Sequence, residues 1–191
     1  MSHSLVRGAV GIFLGLTLWS QALAGPRISA PASAPSVSSG SAMASEVYFS
    51  PRGGCTEAVV REVGKARKTV WVQAYSFTSA PIARALVEAS RRGVKVRVIL
   101  DRSQRSERYT AADFLAHAGI PVYIDARHAI AHDKVMVIDG RTVLTGSFNF
   151  TKSAEENNSE NLLVLREPGL VLRYADHWRS HLAHSRRYRG R

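Results

Sequence analysis

Residues 132–149 read HDKVMVIDGRTVLTGSFN. Two short runs, Lys134–Ile138 and Arg141–Thr145, flank Asp139-Gly140, a pair suited to the type I′ turn whose central residues need positive φ. The stretch is therefore a β-hairpin. On a strand, residues i and i+2 share a face, so His132 and Lys134 point the same way, as do Ser147 and Asn149. The hairpin carries Ser147 and Asn149 back to the start of its first strand, where an imidazole, an ammonium, a hydroxyl and an amide can converge. The lysine supplies charge and the neutral groups supply directed hydrogen bonds, so anionic phosphate is the natural occupant.

Outward from the hairpin, strand and helix signals alternate. Upstream come a short strand at Glu46–Phe49, a helix at Cys55–Ala66 with Val59, Val60 and Val63 at helical spacing, and a buried strand at Val70–Ser76. Ser79 offers an N-cap for a helix lined by Ile82, Leu86 and Ala89 and stopped by Gly93. A strand at Val94–Leu100, a helix at Ala111–Ala118 and a strand at Val122–Ile124 lead back to the hairpin. Downstream, Asn161–Leu165 reads as a strand, and Leu170, Tyr174, Trp178 and Leu182 recur every four residues on a last helix. This order predicts an α/β fold, a mixed sheet flanked by helices with the hairpin as its antiparallel element.

The chain begins like an exported protein. Arg7 precedes an 11-residue apolar run, Ala9–Trp19, and Ala22-Leu23-Ala24 gives a small-x-small cleavage pattern before Gly25. The run is too short for a membrane-spanning helix, which needs about 20 residues. Residues 1–24 are read as a signal peptide, 25–45 as a flexible Ser/Ala/Pro linker, and 46–191 as the folded domain. Export to a periplasm or the medium follows. A single cysteine, Cys55, excludes an intrachain disulfide framework and any cysteine-rich zinc module, and reads as a small buried thiol.

The 191 residues carry 26 Lys+Arg against 15 Asp+Glu, a formal charge of +11. Two of the basic residues and none of the acidic ones precede Glu46, which leaves the domain near +9. A polyanionic partner is implied. The basic residues cluster at 65–68, at Arg91-Arg92 with Lys95 and Arg97, at Arg102, Arg105 and Arg108, and in the tail after Ser185. Each cluster alone is an ordinary solvated face. Together they favour a groove that tracks a nucleic-acid backbone. Arg102, Arg105 and Arg108 follow a strand end, where α/β proteins bind ligands, and are candidate substrate contacts. Tyr75, Phe77 and Tyr109 are candidates for base stacking, with core packing the simpler account of the first two.

His132-x-Lys134-x4-Asp139, then six residues to Gly146-Ser147-x-Asn149, resembles the signature of the phospholipase D superfamily. More narrowly, the chain resembles that superfamily's small bacterial endonucleases, which carry one copy of the motif per subunit. Residues 74–101 resemble the strand–helix–strand unit that precedes the motif in them. The resemblance implies a metal-independent phosphodiesterase, without cofactor, working through a phosphohistidine. It further implies a homodimer with one active site across its axis, because two motif copies make one site. One His132 would attack phosphorus, and the partner's His132 would protonate the leaving oxygen. Lys134 and Asn149 would hold the phosphoryl oxygens, Ser147 would support them, and Glu160 would hydrogen-bond the histidine. Asp139 completes the motif, although Asp before Gly also suits a hairpin turn for structural reasons alone.

Three functions compete. A sequence-nonspecific endonuclease, acting on DNA or RNA, leads. A phospholipase D or phosphatidyl transferase acting on phospholipid is the alternative, because the same phosphohistidine serves either substrate, and anionic lipid also attracts Arg and Lys. A DNA-binding module with a dead site is opposed by the intact motif. The i, i+4 histidine pairs, His128/His132 and His177/His181, with His184 beyond, could ligate zinc on a helix. No His-Glu-x-x-His occurs, and a solvated or packed helix face is the expectation, with no metal.

Overall fold

The structure, a computed structural model, describes residues 45–191. The signal-peptide expectation and all of the linker expectation except Ser45 lie outside the described residues.

β-branched runs and amphipathic helices alternate along the chain as β1 (Glu46–Ser50), α1 (Cys55–Lys65), β2 (Thr69–Ala74), α2 (Ala80–Arg91) and β3 (Lys95–Asp101). A 3-10 turn (Arg102–Arg105), α3 (Ala111–His117), β4 (Val122–Asp125), β5 (Lys134–Ile138) and β6 (Thr142–Gly146) follow. The chain ends with α4 (Lys152–Glu156), β7 (Glu160–Leu165), α5 (Pro168–His184) and β8 (Arg186–Tyr188). Among the described residues one eight-stranded mixed sheet results, in the order β1-β7-β6-β5-β2-β3-β4-β8. Only β2–β3 and β3–β4 pair in parallel, each joined by a helical crossover; the other pairs are antiparallel.

β5 lies inside the sheet and all five of its residues are buried. Its alternation divides two cores: Met136 and Ile138 join the larger one, with α1, α2 and α3, while Val135 and Val137 meet Val171 and Ala175 of α5 on the opposite face. Trp178 reinforces that second face, stacking on Trp71 at 4.9 Å and donating its indole N–H to the Val72 carbonyl at 2.9 Å. This buried donor is thereby satisfied. The hairpin turn has the expected geometry, with φ of 54° at Asp139 and 62° at Gly140.

Several expectations shift. The buried stripe of α5 is Val171, Ala175, Trp178 and His181, not the four-spaced series, and Leu170 is exposed. Each four-residue step overshoots a full turn by about 40°, so a strict i+4 series drifts off the buried face. Ser79 does occupy the N-cap of α2 but makes no capping hydrogen bond. The tail after Ser185 forms β8, which pairs with β4 and buries Tyr188. The expectation for Cys55 holds: it is buried at the start of α1, and burial pushes its thiol up to about 11, so it is an inert core residue.

Candidate active site

The ends of the central strands bring all of the motif but Asp139 together. Register places Ala74 of β2 opposite Lys134 of β5, and Gly146 of β6 opposite Leu162 of β7. Lys134, Ser147 and Glu160 therefore emerge at one end of the sheet, which is also the end where the parallel strands β3 and β4 finish. Asn149 joins them through a parallel bridge between Phe150 and Phe77, just past β2.

His132 lies two residues before β5 and is exposed. Its ring rests against Tyr75, with centroids 4.5 Å apart. Lys134 is buried; its ammonium donates to the His132 carbonyl at 2.8 Å and sits 5.1 Å from the centre of the Tyr75 ring. Burial pushes the Lys134 ammonium below the usual lysine range, against the opposing charges of Glu160 and Asp133. Tyr75 thus packs at the site, between the reactive candidates.

The loop carrying His132 is fixed from below. Buried Asp101 accepts the Ala131 N–H at 2.7 Å and the Ser103 N–H at 2.9 Å. On the other flank, the Asp133 carbonyl accepts the Tyr75 N–H at 2.8 Å and its carboxylate accepts Gln73 Nε2 at 2.9 Å. Asp133 thus holds the loop to β2. These positioning residues carry no sequence signature of their own, because their partners are backbone groups or distant side chains.

Ser147 and Asn161 tie the ends of β6 and β7: the Asn161 N–H donates to Ser147 Oγ at 3.0 Å. Gly146 makes the close approach possible. A Cβ there would stand 2.2 Å from the Asn161 carbonyl oxygen, and its φ of +143° also suits glycine. Among the described residues, Asn149 Oδ1 is buried with no hydrogen-bond partner, a state that costs about 1–3 kcal/mol. A donor from outside would relieve it, as would rotation of the amide to offer its NH2 group to an oxyanion. Glu160 accepts from Asn158 Nδ2 at 3.0 Å and acts on Lys134 through its charge. Among the described residues it makes no hydrogen bond to the His132 ring.

Asp139 is not brought to this cluster. Five strand steps separate it from Lys134, about 17 Å. Its carboxylate instead accepts the backbone N–H groups of Arg67 at 2.8 Å, Lys68 at 2.7 Å and Thr69 at 2.8 Å. It fastens the hairpin turn to the loop between α1 and β2. Burial alone would raise its pKa, but these N–H bonds and the Arg141 charge hold it below the usual carboxylate range.

Arg102, Arg105 and Arg108 are all exposed at the site end of the sheet. Arg105 lines a groove with Arg127, Arg186, Arg187, Arg189 and Arg191, whereas Arg108 lies over the Tyr109 ring at 5.3 Å. Arg191 is already paired with Asp113 at 2.9 Å.

A family model described as the PLD-like domain of cardiolipin synthase matches residues 59–182. The chain belongs to the phospholipase D superfamily. Phospholipase D of Rickettsia conorii is 41% identical over 130 residues, covering 68% of this chain and 65% of the relative. That of Rickettsia prowazekii is 42% identical over 130 residues, covering 68% and 63%. The chain thus spans less than two thirds of the length of these relatives. Among solved structures, Nuc of Salmonella typhimurium, described as a phospholipase D family member, is 39% identical with a TM-score of 0.74, over 77% of this chain and 99% of that one. NucT of Helicobacter pylori is 25% identical with a TM-score of 0.71, over 76% and 99%. The eight-stranded mixed sheet is therefore the phospholipase D fold.

Proposed function

We propose that the chain is an exported, metal-independent phosphodiesterase that cleaves nucleic acid without sequence preference. The observation that carries this reading is the gathering of His132, Lys134, Ser147, Asn149 and Glu160 at one end of the sheet, in a domain whose β4–β8 edge carries a groove lined by arginines. A homodimer with its axis through this end pairs two exposed His132 side chains. One His132 nitrogen attacks phosphorus, a P–N bond forms, and the P–O bond to the leaving oxygen breaks. The partner's His132 gives that oxygen its proton, then takes one from the water that hydrolyses the phosphohistidine. Lys134 and Asn149 meet the phosphoryl oxygens, whose negative charge restores the preference of the buried lysine for its charged form. The arginine groove holds the flanking backbone.

The test is nicking of supercoiled plasmid in excess EDTA, with folding checked by circular dichroism. Wild-type cleavage and a silent, folded His132→Ala variant support the reading. Folded protein that leaves both DNA and RNA intact overturns the substrate assignment. Separated heterodimers of His132→Ala with Lys134→Ala test the shared site, which needs both copies of each residue, so recovery of full activity would exclude it. Export predicts a mature protein beginning at Gly25, which N-terminal sequencing reads directly.

The lipid reading draws on one observation, the name phospholipase D borne by relatives about 40% identical. Hydrolysis of phosphatidylcholine vesicles alongside intact nucleic acid would select it.

A further inference from the structure

Beside the loop that carries His132, four metal-ligating side chains converge. Asp125, at the end of β4, is fully buried. Its Oδ2 lies 2.7 Å from His181 Nδ1, 3.2 Å from His128 Nδ1 and 3.2 Å from His184 Nε2, while Oδ1 accepts the Arg127 N–H at 3.0 Å. The His128 and His181 rings stack at 4.8 Å, and the four ligand atoms all lie within 4.8 Å of one another.

Three imidazole nitrogens around one carboxylate oxygen exceed what hydrogen bonding requires of it. A tetrahedral ion with bonds of about 2.0–2.1 Å needs its ligand atoms about 3.3 Å apart, close to the 3.2 Å that separates Asp125 Oδ2 from His128 Nδ1 and from His184 Nε2. We propose that Asp125, His128, His181 and His184 bind one divalent transition-metal ion of the zinc type. Three imidazoles and a carboxylate, without a thiolate, suit Zn²⁺. The chain fills all four positions, which makes the site structural rather than catalytic, and the half-exposed His128 gives the ion its way in. A second group, Asp133, His177 and His181, shares His181 but offers only three ligands.

The ion would join three segments: the end of β4, the last turn of α5, and the loop that runs from His128 to His132. It would fix the approach to His132 without taking part in chemistry there. The proposal therefore stands whether or not the phosphodiesterase reading does.

The test uses the full chain without a histidine tag, stripped of metal, incubated with zinc chloride and freed of excess. Elemental analysis should give one zinc per chain, and Co²⁺ in its place should show the intense visible bands of a tetrahedral site. His181→Ala with His184→Ala should fall close to none. His128→Ala removes a half-exposed ligand, and should weaken zinc binding at least tenfold with an unchanged circular dichroism spectrum. His132→Ala and His117→Ala should retain one zinc. Wild type that holds no more zinc than the double variant, an octahedral cobalt spectrum, or undiminished binding by folded His128→Ala would each overturn the site and leave an Asp–His hydrogen-bond network.

Discussion

Asp139 separates a structural from a catalytic account of the motif, because the two make opposite demands on one substitution. Asp139→Ala removes three backbone hydrogen bonds, to Arg67, Lys68 and Thr69. It also places alanine at a φ of 54°. Hydrogen bonds to charged groups contribute about 1.5–3 kcal/mol each, but water can reach two of these three N–H groups, so about 2 kcal/mol for the set is a fair figure. The left-handed backbone adds about 1 kcal/mol. A loss near 3 kcal/mol should lower the melting temperature by about 6–12 °C at neutral pH. Asp139→Asn keeps an acceptor and tolerates the conformation, and should lose about half as much. The effect has a pH signature. The folded-state pKa is depressed, so the stabilisation is fully present above the unfolded carboxyl value, near 3.9, and is lost as pH falls through the folded value. Melts of wild type and Asp139→Ala should therefore approach each other in acid. Plasmid nicking per folded molecule, measured well below either melting transition, should stay within a fewfold of wild type. An unchanged melting temperature with activity abolished would refute the reasoning and return Asp139 to the chemistry.

Three further outcomes are expected. Gly146→Ala forces a Cβ against the Asn161 carbonyl and should destabilise the domain by about 2–4 kcal/mol, read by urea denaturation. Lys134→Met replaces a buried cation with an apolar chain of similar length; its stability should match or exceed wild type by about 1 kcal/mol while nicking is lost, and retained nicking would remove Lys134 from the site. Deleting residues 186–191 removes β8, together with the Tyr188 and Arg191 bonds to Asp113. It should cost about 2–3 kcal/mol and reduce the salt dependence of nucleic-acid binding by about three counterions, one for each of Arg186, Arg187 and Arg189.

Most strands and helices were legible because their apolar periodicity is local. Val70–Ala74, the Asp139-Gly140 turn and the α2 face each carry their own signal within a few residues. β8 was not legible: Arg186-Arg187-Tyr188 is a strand only because β4 offers it an open edge and Asp113 a bond for Tyr188. The site divides the same way. Spacing picks out His132, Lys134, Ser147 and Asn149, which share one hairpin. It is blind to Asp101 beneath Ala131, and to Asp125, which meets His181 across 56 residues of sequence. Histidine spacing in α5 does hint at a ligand pair, but the missing carboxylate comes from a strand end that only folding brings there.

The intervals of the motif follow from this geometry. Between Lys134 and Asp139 stand four residues, all of them strand, and their length spans the sheet from the cluster to the loop after α1. One end of β5 presents the ammonium at the site; the other presents the carboxylate that anchors the turn. Six residues, Gly140 and Arg141 of the turn and four of β6, then lead back to Gly146, where close contact with β7 sets Ser147 against Asn161. The fixed spacing is thus a measure of strand length, and it specifies where the hairpin starts and where it is fastened. Inserting one residue between Lys134 and Asp139 would turn every later side chain of β5 to the opposite face. Met136 and Val137 would exchange cores before any catalytic group was altered. The motif therefore constrains the fold as tightly as the chemistry, and one of its members, Asp139, fastens the turn at the end of β5 far from Lys134.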